Sequence, residues 1–524
     1  MNWIYFLGVI MASIVPSLHA LHMFQQNRYE IARYTQWIEE NIEGGARRAM
    51  VPTVIFLAVA FACIHLETAT VLHLCMGLAF LLAALLIARE RKAHYIKPLV
   101  ITDRVKRQIA VMSVLYLLIQ IILLLAYRRL NLWLMLAIGY FGPWLLIYPM
   151  AWITAPVENA VKRWYIQSTK RMLETHEGMI KIGITGSYGK TSTKNIMTGI
   201  LSEQFHVLMT PASYNTPMGV TRTIREYMKP IHEIFVCEMG ADRVGDITDL
   251  MEYVRPSIGI VTSIGPQHLS TFKTQENITH EKMQMIEMLP KDGLGIVNYD
   301  NTFIKNYHLE NNVPIISCAI HDRDADYRAE NIAFSVSGSA FDVVHNKERV
   351  HLETRLLGEL NILNILFAIA CARYLHVSWA RIQAGVQNMR QVEHRLQQKT
   401  IGGYSFIDDA FNANPDGAKM ALEVLAMMPG KRWIVTPGMI ELKDQQDALN
   451  RTFGAQMKGC CDEVILVGRE QTKSIYEGLK LSGFSMDHVQ IVDTEKAAFK
   501  ILWAQASKED TILLENDLPD AFNK

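Results

Sequence analysis

Hydrophobic positions are distributed very unevenly along this chain. Over roughly the first 155 residues they form long runs, and beyond that they form short runs alternating with amphipathic stretches. Five runs, 3–21, 50–67, 70–88, 109–127 and 131–153, approach the length that a helix needs to cross a bilayer, roughly 20 residues. The pattern predicts a membrane region of about five transmembrane helices over 1–155. Strong spans follow the first run, so it reads as a retained helix and not a cleaved signal. The connection after the first run holds Arg28, Arg33, Arg47 and Arg48, and the one after the third holds Arg89, Arg91, Lys92, Lys97, Arg104, Lys106 and Arg107. Lys and Arg favour the cytoplasmic side, which places the N-terminus outside and the part beyond the last span inside. Arg128-Arg129 falls on the outer side, against that trend.

Beyond the membrane region, short apolar runs alternate with helical periodicity, the mark of a largely parallel sheet. Met179–Thr185 reads as a buried strand, Gly186-Ser-Tyr-Gly189 as a tight turn and Lys190–Leu201 as a helix. A strand, a glycine turn and a helix N-terminus make an anion site, because free N–H groups and the helix dipole face the same point. Gly186, Ser187, Gly189, Lys190, Thr191 and Ser192 are therefore the candidate nucleotide-phosphate contacts, with Lys190 reaching the β/γ-phosphates and Thr191 binding Mg²⁺. The spacing is G-x-x-G-K-T, shorter than the common phosphate loop. Glu238 ends the apolar strand Ile234–Glu238, where a carboxylate beside a phosphate loop suits a Mg²⁺ ligand.

Composition adds limits. The 524 residues suffice for three or four domains, and 52 basic against 52 acidic residues give no net charge, so nothing points to nucleic acid. The seven cysteines form no C-x-x-C pair or zinc spacing and read as buried thiols in a reducing compartment.

Further motifs follow in a fixed order. Gly183-Ile-Thr-Gly-Ser-Tyr-Gly-Lys-Thr-Ser-Thr-Lys194 resembles the phosphate loop of the Mur ligases, which join amino acids to peptidoglycan precursors. Tyr214-Asn-Thr-Pro-Met-Gly-Val220 is similar to that family's asparagine-rich loop, and Val236–Ile247 to its E-x-G-A-N-x-x-G-E-I segment, with Asp242 and Asp246 substituted. His268 and Lys282 keep the family's spacing, Phe406–Pro415 resembles its hinge, and Gly438–Leu442 its G-x-M-x-E-L. The resemblance covers about 179–515.

It implies a P-loop central domain over 172–390 with a small β insertion near 325–357, a Rossmann-like C-terminal domain over 395–524, and ATP between them. It implies two Mg²⁺ sites: Thr191 and Glu238 as ligands, His268 helping to hold the second ion, and Lys282 carbamylated by CO₂ into an anionic ligand. Lys190, His268 and Lys282 are the implied catalytic residues, and Asn361, Arg395 and Asp409 the implied contacts to adenine, phosphates and nucleotide. Asn412 and Asn414 are candidates for orienting the closing domain. Leu360 stands where the family has histidine, and Leu514-Glu-Asn-Asp-Leu-Pro-Asp520 replaces its K-G-S-R. The family's UDP-sugar-binding domain is replaced by the apolar runs.

The implied activity is ATP-dependent amide-bond formation through an acyl phosphate, in cell-wall peptide or envelope-polymer synthesis at a bacterial membrane. The partners would be an amino acid or dipeptide and a carboxylate acceptor that is UDP-linked, lipid-linked or polymeric. A D-alanyl-D-alanine-adding type of reaction competes with a poly-γ-glutamate synthase-like one. A transporter or receptor with an ATP-binding cytoplasmic domain is the alternative from another class.

Overall fold

The computed structural model describes residues 2–39, 68–90, 98–126, 129–389, 391, 395–410, 414–440, 442 and 445–516. They group into two compact units, Met1–Trp164 and Tyr165–Lys524.

The first unit is helical, with helices Asn2–Gln26, Thr68–Glu90 and Asp103–Leu125 and the first part of Arg129–Thr175. Three apolar stretches are long enough to cross a membrane: Ile4–Gln26, Asp103–Leu125 and Leu134–Thr175. They answer to the first, fourth and fifth expected spans. The third falls in Thr68–Glu90, where the described apolar stretch is the shorter Cys75–Ile87. The second, 50–67, lies outside the described residues. The last helix continues past the expected end at 153 to Thr175, with Pro143, Pro149 and Pro156 inside it. Large apolar side chains face outward, with Leu125 80% and Trp152 79% exposed, while Gln108 and Gln120 are buried. Gln120 donates to the Met135 carbonyl at 3.1 Å. That inside-out distribution suits an apolar surrounding.

The second unit holds two sheets. The larger contains β1 (Ile180–Thr185), β2 (Val207–Met209), β3 (Ile234–Glu238), β4 (Ile258–Val261), β5 (Leu294–Asn298), β6 (Ile315–Ala319), β7 (Tyr327–Ser335), β8 (Gly338–His345) and β9 (Glu348–Thr354), in the order β2-β3-β1-β4-β5-β6-β7-β8-β9. Strands β2 to β7 pair in parallel and β7-β8-β9 antiparallel, so the expected β insertion extends the sheet edge. Helices cover both faces, which explains why β3, β4 and β5 are buried at every position.

The smaller sheet contains β10 (Gln397–Ile401), β11 (Tyr404–Asp409), β12 (Arg432–Thr436), β13 (Glu463–Val467), β14 (Val489–Val492) and β15 (Thr511–Glu515), ordered β10-β11-β15-β12-β13-β14. The last strand of the chain thus inserts between β11 and β12, both parallel to it. Strand β10, an antiparallel edge, was not expected, because Gln397-Gln-Lys-Thr carries no apolar alternation. The six described cysteines are free and five are buried, in keeping with the thiol reading.

Candidate active site

The phosphate loop joins β1 to the helix Lys190–Leu201. Gly186 has φ +151°, and a Cβ there would stand 2.1 Å from Thr262 Oγ1. Gly189 caps the helix in the left-handed region at φ +80°. The loop is clamped to the segment after β4: Ser187 N donates to Ser263 O at 2.7 Å, Ser187 Oγ to Gly265 O at 3.0 Å, and Tyr188 Oη to Pro266 O at 2.7 Å. Lys190 Nζ turns into the loop and donates to Gly186 O at 2.6 Å and Ser187 O at 3.1 Å. Burial lowers its pKa to about 8; Glu238 and Asp242 oppose that shift and Arg395 adds to it.

Thr191 Oγ1 donates to both Glu238 oxygens at 3.1 and 3.2 Å. The same carboxylate accepts from Lys194 Nζ at 3.0 Å and Asn215 Nδ2 at 3.2 Å. Thr191 and Glu238 are thus held together as hard oxygen donors of the kind Mg²⁺ takes. Lys194, a residue the sequence reading passed over, is fully buried beside them. Its only signal was its place four residues after Lys190, on the same helix face.

A second group lies after β3. His268 Nε2 stands 3.3 Å from Asp242 Oδ1, and Thr271 Oγ1 donates to Asp242 O. Lys282 Nζ donates to Ala241 O at 3.4 Å and lies 5.8 Å from the Phe272 ring centre. Lys282 is in the helix Gln275–Glu287, which Thr274 caps. Burial pulls the Lys282 pKa down to about 7, with the Lys190 charge adding to the shift and Glu281, Asp242 and Asp246 opposing it. Its neighbour Glu281 accepts the Gly245 and Ile247 amides at 2.8 and 2.6 Å, fixing the N-terminus of the earlier helix Asp246–Val254. The four expected metal ligands thus fall into two groups, Thr191 with Glu238, and His268 with Lys282 around Asp242. Among the described residues no set of three or more His, Cys, Asp or Glu side chains is placed to hold a metal. Unmodified, Lys282 offers no oxygen; a carbamate would add an anionic one.

A cleft is lined by Gly189 and Ser192 at the loop, Asn361 and Asn364, and Arg395, Asp409 and Glu515 of the C-terminal part. Asn361 Nδ2 donates to Leu357 O at 2.8 Å, and Asn364 Oδ1 accepts from Thr193 Oγ1 at 2.9 Å. Asp409 accepts from Leu396 N at 3.1 Å. Of the expected nucleotide contacts, Gly189, Ser192, Asn361, Arg395 and Asp409 line this cleft, while Gly186, Ser187, Lys190 and Thr191 are not among its lining residues. Asn414 caps the helix Pro415–Ala426 and lines the cleft as well, while Asn412 lies outside the described residues.

Comparison with known proteins gives a consistent picture. The Mur ligase middle domain matches 184–372 and the Mur ligase glutamate ligase domain matches 394–515. The chain is 29% identical over 338 residues to the UDP-N-acetylmuramoyl-tripeptide–D-alanyl-D-alanine ligase of Bacillus subtilis, covering 64% of this chain and 72% of that protein. Among solved structures, MurF of Acinetobacter baumannii superposes with a TM-score of 0.61 at 24% identity, over 68% of this chain and 77% of that one. MurF ligase of Thermotoga maritima in complex with ADP gives 0.60 at 22%, over 67% and 80%.

Proposed function

The chain belongs to the Mur ligase family, and on that premise we propose that it joins D-alanyl-D-alanine to the free carboxyl group of a UDP-linked muramoyl tripeptide. The observation that carries this reading is the fixed trio Lys190, Thr191 and Glu238 at a phosphate loop, in a chain related to ligases of that activity. The same relatives favour it over a poly-γ-glutamate reaction, and an ATP-dependent ligase leaves no need for the transporter or receptor alternative.

Two displacements make up the reaction. An acceptor carboxylate oxygen bonds to the γ-phosphorus of ATP while the bond to ADP breaks. The dipeptide amine then bonds to the acyl carbon, inorganic phosphate leaves with the carboxylate oxygen, and the nitrogen gives up a proton. The first step brings two anions together, so positive charge fixed in advance lowers its barrier. With a pKa of about 8, Lys190 is largely protonated at neutral pH and supplies such a charge. The amides around Gly186, Ser187 and Gly189 and the start of the helix at Ser192 would hold the phosphates. Thr191 and Glu238 would hold one Mg²⁺, and His268 with a carbamylated Lys282 would hold a second; the ions would neutralise phosphate charge. Arg395, Asn361 and Asp409 would hold the rest of the nucleotide. We take the ATP-binding domain as 172–390 and the closing domain as 395–524.

We read the helical region as a multi-pass membrane anchor with the ligase domains cytoplasmic, on the strength of its outward apolar side chains. That anchor favours a second reading of the acceptor, the same peptide carried on a lipid, because tethering raises the local concentration of a membrane-borne partner. Full-length protein in detergent with ATP, Mg²⁺, D-alanyl-D-alanine and either acceptor separates these readings. Phosphate release dependent on both acceptor and dipeptide supports the ligase, and the acceptor that turns over identifies its carrier. Phosphate release indifferent to both would overturn the assignment.

A further inference from the structure

The parallel pairing of β11 with β15 sets Asp409 directly opposite Glu515. Residues in register on neighbouring strands point to the same face, so two carboxyl groups leave the sheet side by side at its carboxyl edge, where open α/β sheets take their ligands. Both line the cleft that reaches Gly189 and Ser192 of the phosphate loop. Glu515 is 0% exposed, and among the described residues neither of its oxygens meets a hydrogen-bond donor apart from Asp409. Two buried carboxyls side by side offer more acceptor sites than one shared proton can use, so acceptor capacity is left over for a ligand.

The surroundings select what such a pair can take. A divalent cation is disfavoured, because the Arg395 charge faces both carboxyls. Two adjacent hydroxyl donors suit it, since each carboxyl then accepts one hydrogen bond. Leu360, Leu396 and Met420 supply apolar lining to the same cleft. A group bearing a vicinal diol, joined on one side to phosphates and on the other to a flat apolar ring, fits all three parts. We propose that Glu515, paired with Asp409, seats the ribose hydroxyls of the nucleotide and makes this enzyme selective for ribonucleotides. Asp409 was expected to touch the nucleotide; the new element is Glu515 as the specificity-determining partner, and it rests on the ligase reading above.

Burial supports the pairing. It pushes Asp409 up to about 6 and Glu515 well above the usual carboxylate range, so the pair holds a proton near neutrality. A diol replaces that shared proton with two hydroxyl donors. A site built to hydrogen-bond a hydroxyl rejects the analogue lacking it, because a buried acceptor is then left unpaired.

The test is equilibrium titration of the full-length protein in detergent with Mg²⁺ and four probes: ATP, 2′-deoxyATP, 3′-deoxyATP and inorganic triphosphate. The wild type should bind at least one deoxynucleotide roughly ten- to a hundredfold more weakly than ATP. In Glu515→Gln that ratio should shrink to within about threefold, through weaker ATP binding. The sugar-free triphosphate reads the phosphate loop alone. Equal binding of ATP and both deoxynucleotides by the wild type, or an undiminished ratio in Glu515→Gln, would overturn the ribose assignment while leaving the ligase reading intact. A wild type that binds neither ATP nor triphosphate would overturn both.

Discussion

Lys194 donates to Glu238 across 3.0 Å with both side chains only 1% exposed, which makes them a fully buried ion pair beside the phosphate loop. Lys194 also donates to Ala212 O, and Glu238 N donates to Thr210 Oγ1, so the pair ties the loop helix, β3 and the 210–215 segment together. Removing one partner of such a pair leaves the other charge buried and uncompensated, at a cost of roughly 3–5 kcal/mol. Lys194→Met should therefore lower the unfolding midpoint in denaturant titrations far more than substitution of the exposed Lys419. Similar losses in the two variants would show that Lys194 is not holding Glu238.

The loop itself makes a sharper structural prediction. In Gly186→Ala the new Cβ would meet Thr262 Oγ1 at 2.1 Å and Ser263 N and O at 3.0 Å. Trimming Thr262 to alanine as well removes the closest clash and leaves the two backbone ones. Gly186→Ala should lose nucleotide binding, and Gly186→Ala/Thr262→Ala should regain little of it. Full recovery in the double variant would place the whole constraint in the Thr262 side chain.

Lys282 should behave as a carbamate-bearing residue. Only the neutral amine adds CO₂, and a pKa near 7 makes the amine largely neutral at pH 8 and largely protonated at pH 6. Turnover in bicarbonate-containing buffer should rise across that interval. Lys282→Ala should lose roughly a hundredfold or more of its turnover and recover part of it on addition of a short carboxylic acid. Full activity in Lys282→Ala without additive would remove Lys282 from the site.

The carboxyl pair gives a stability signature of defined sign. Asp409 has its pKa raised from 3.8 to about 6, so between those values the folded state binds more protons than the unfolded one. Stability from this group is thus present below about pH 4 and falls as pH rises through 6. Glu515→Gln removes a carboxyl whose own pKa is raised by burial and by the neighbouring Asp409, and with it a second group whose stability contribution is lost as pH rises. The melting temperature of the variant should gain on that of the wild type as pH goes from 4 to 7. A constant difference would deny the coupling.

What could be read from the sequence follows a physical division. The helix Lys190–Leu201 and the strand Ile234–Glu238 begin and end where expected, because apolar runs meet glycine, charge or a turn. Strand β10 escaped because a polar edge strand carries no burial pattern. Thr191 and Glu238 could be paired in advance from the loop motif and the strand end. Lys194 and Glu515 could not. A lysine in a helix and a glutamate ending a strand look solvated until the packing of β3 and the insertion of β15 beside β11 are known, and sheet order is set by long-range contacts, not by local pattern.

The central claim is that this Mur ligase activates a carboxyl group as an acyl phosphate before forming the amide. An acceptor labelled with oxygen-18 in its reacting carboxyl group, turned over with ATP and D-alanyl-D-alanine by the full-length protein, tests it directly. One labelled oxygen should appear in inorganic phosphate for each amide formed, because that oxygen bridges carbon and phosphorus in the intermediate. Amide product accompanied by unlabelled phosphate would contradict the account.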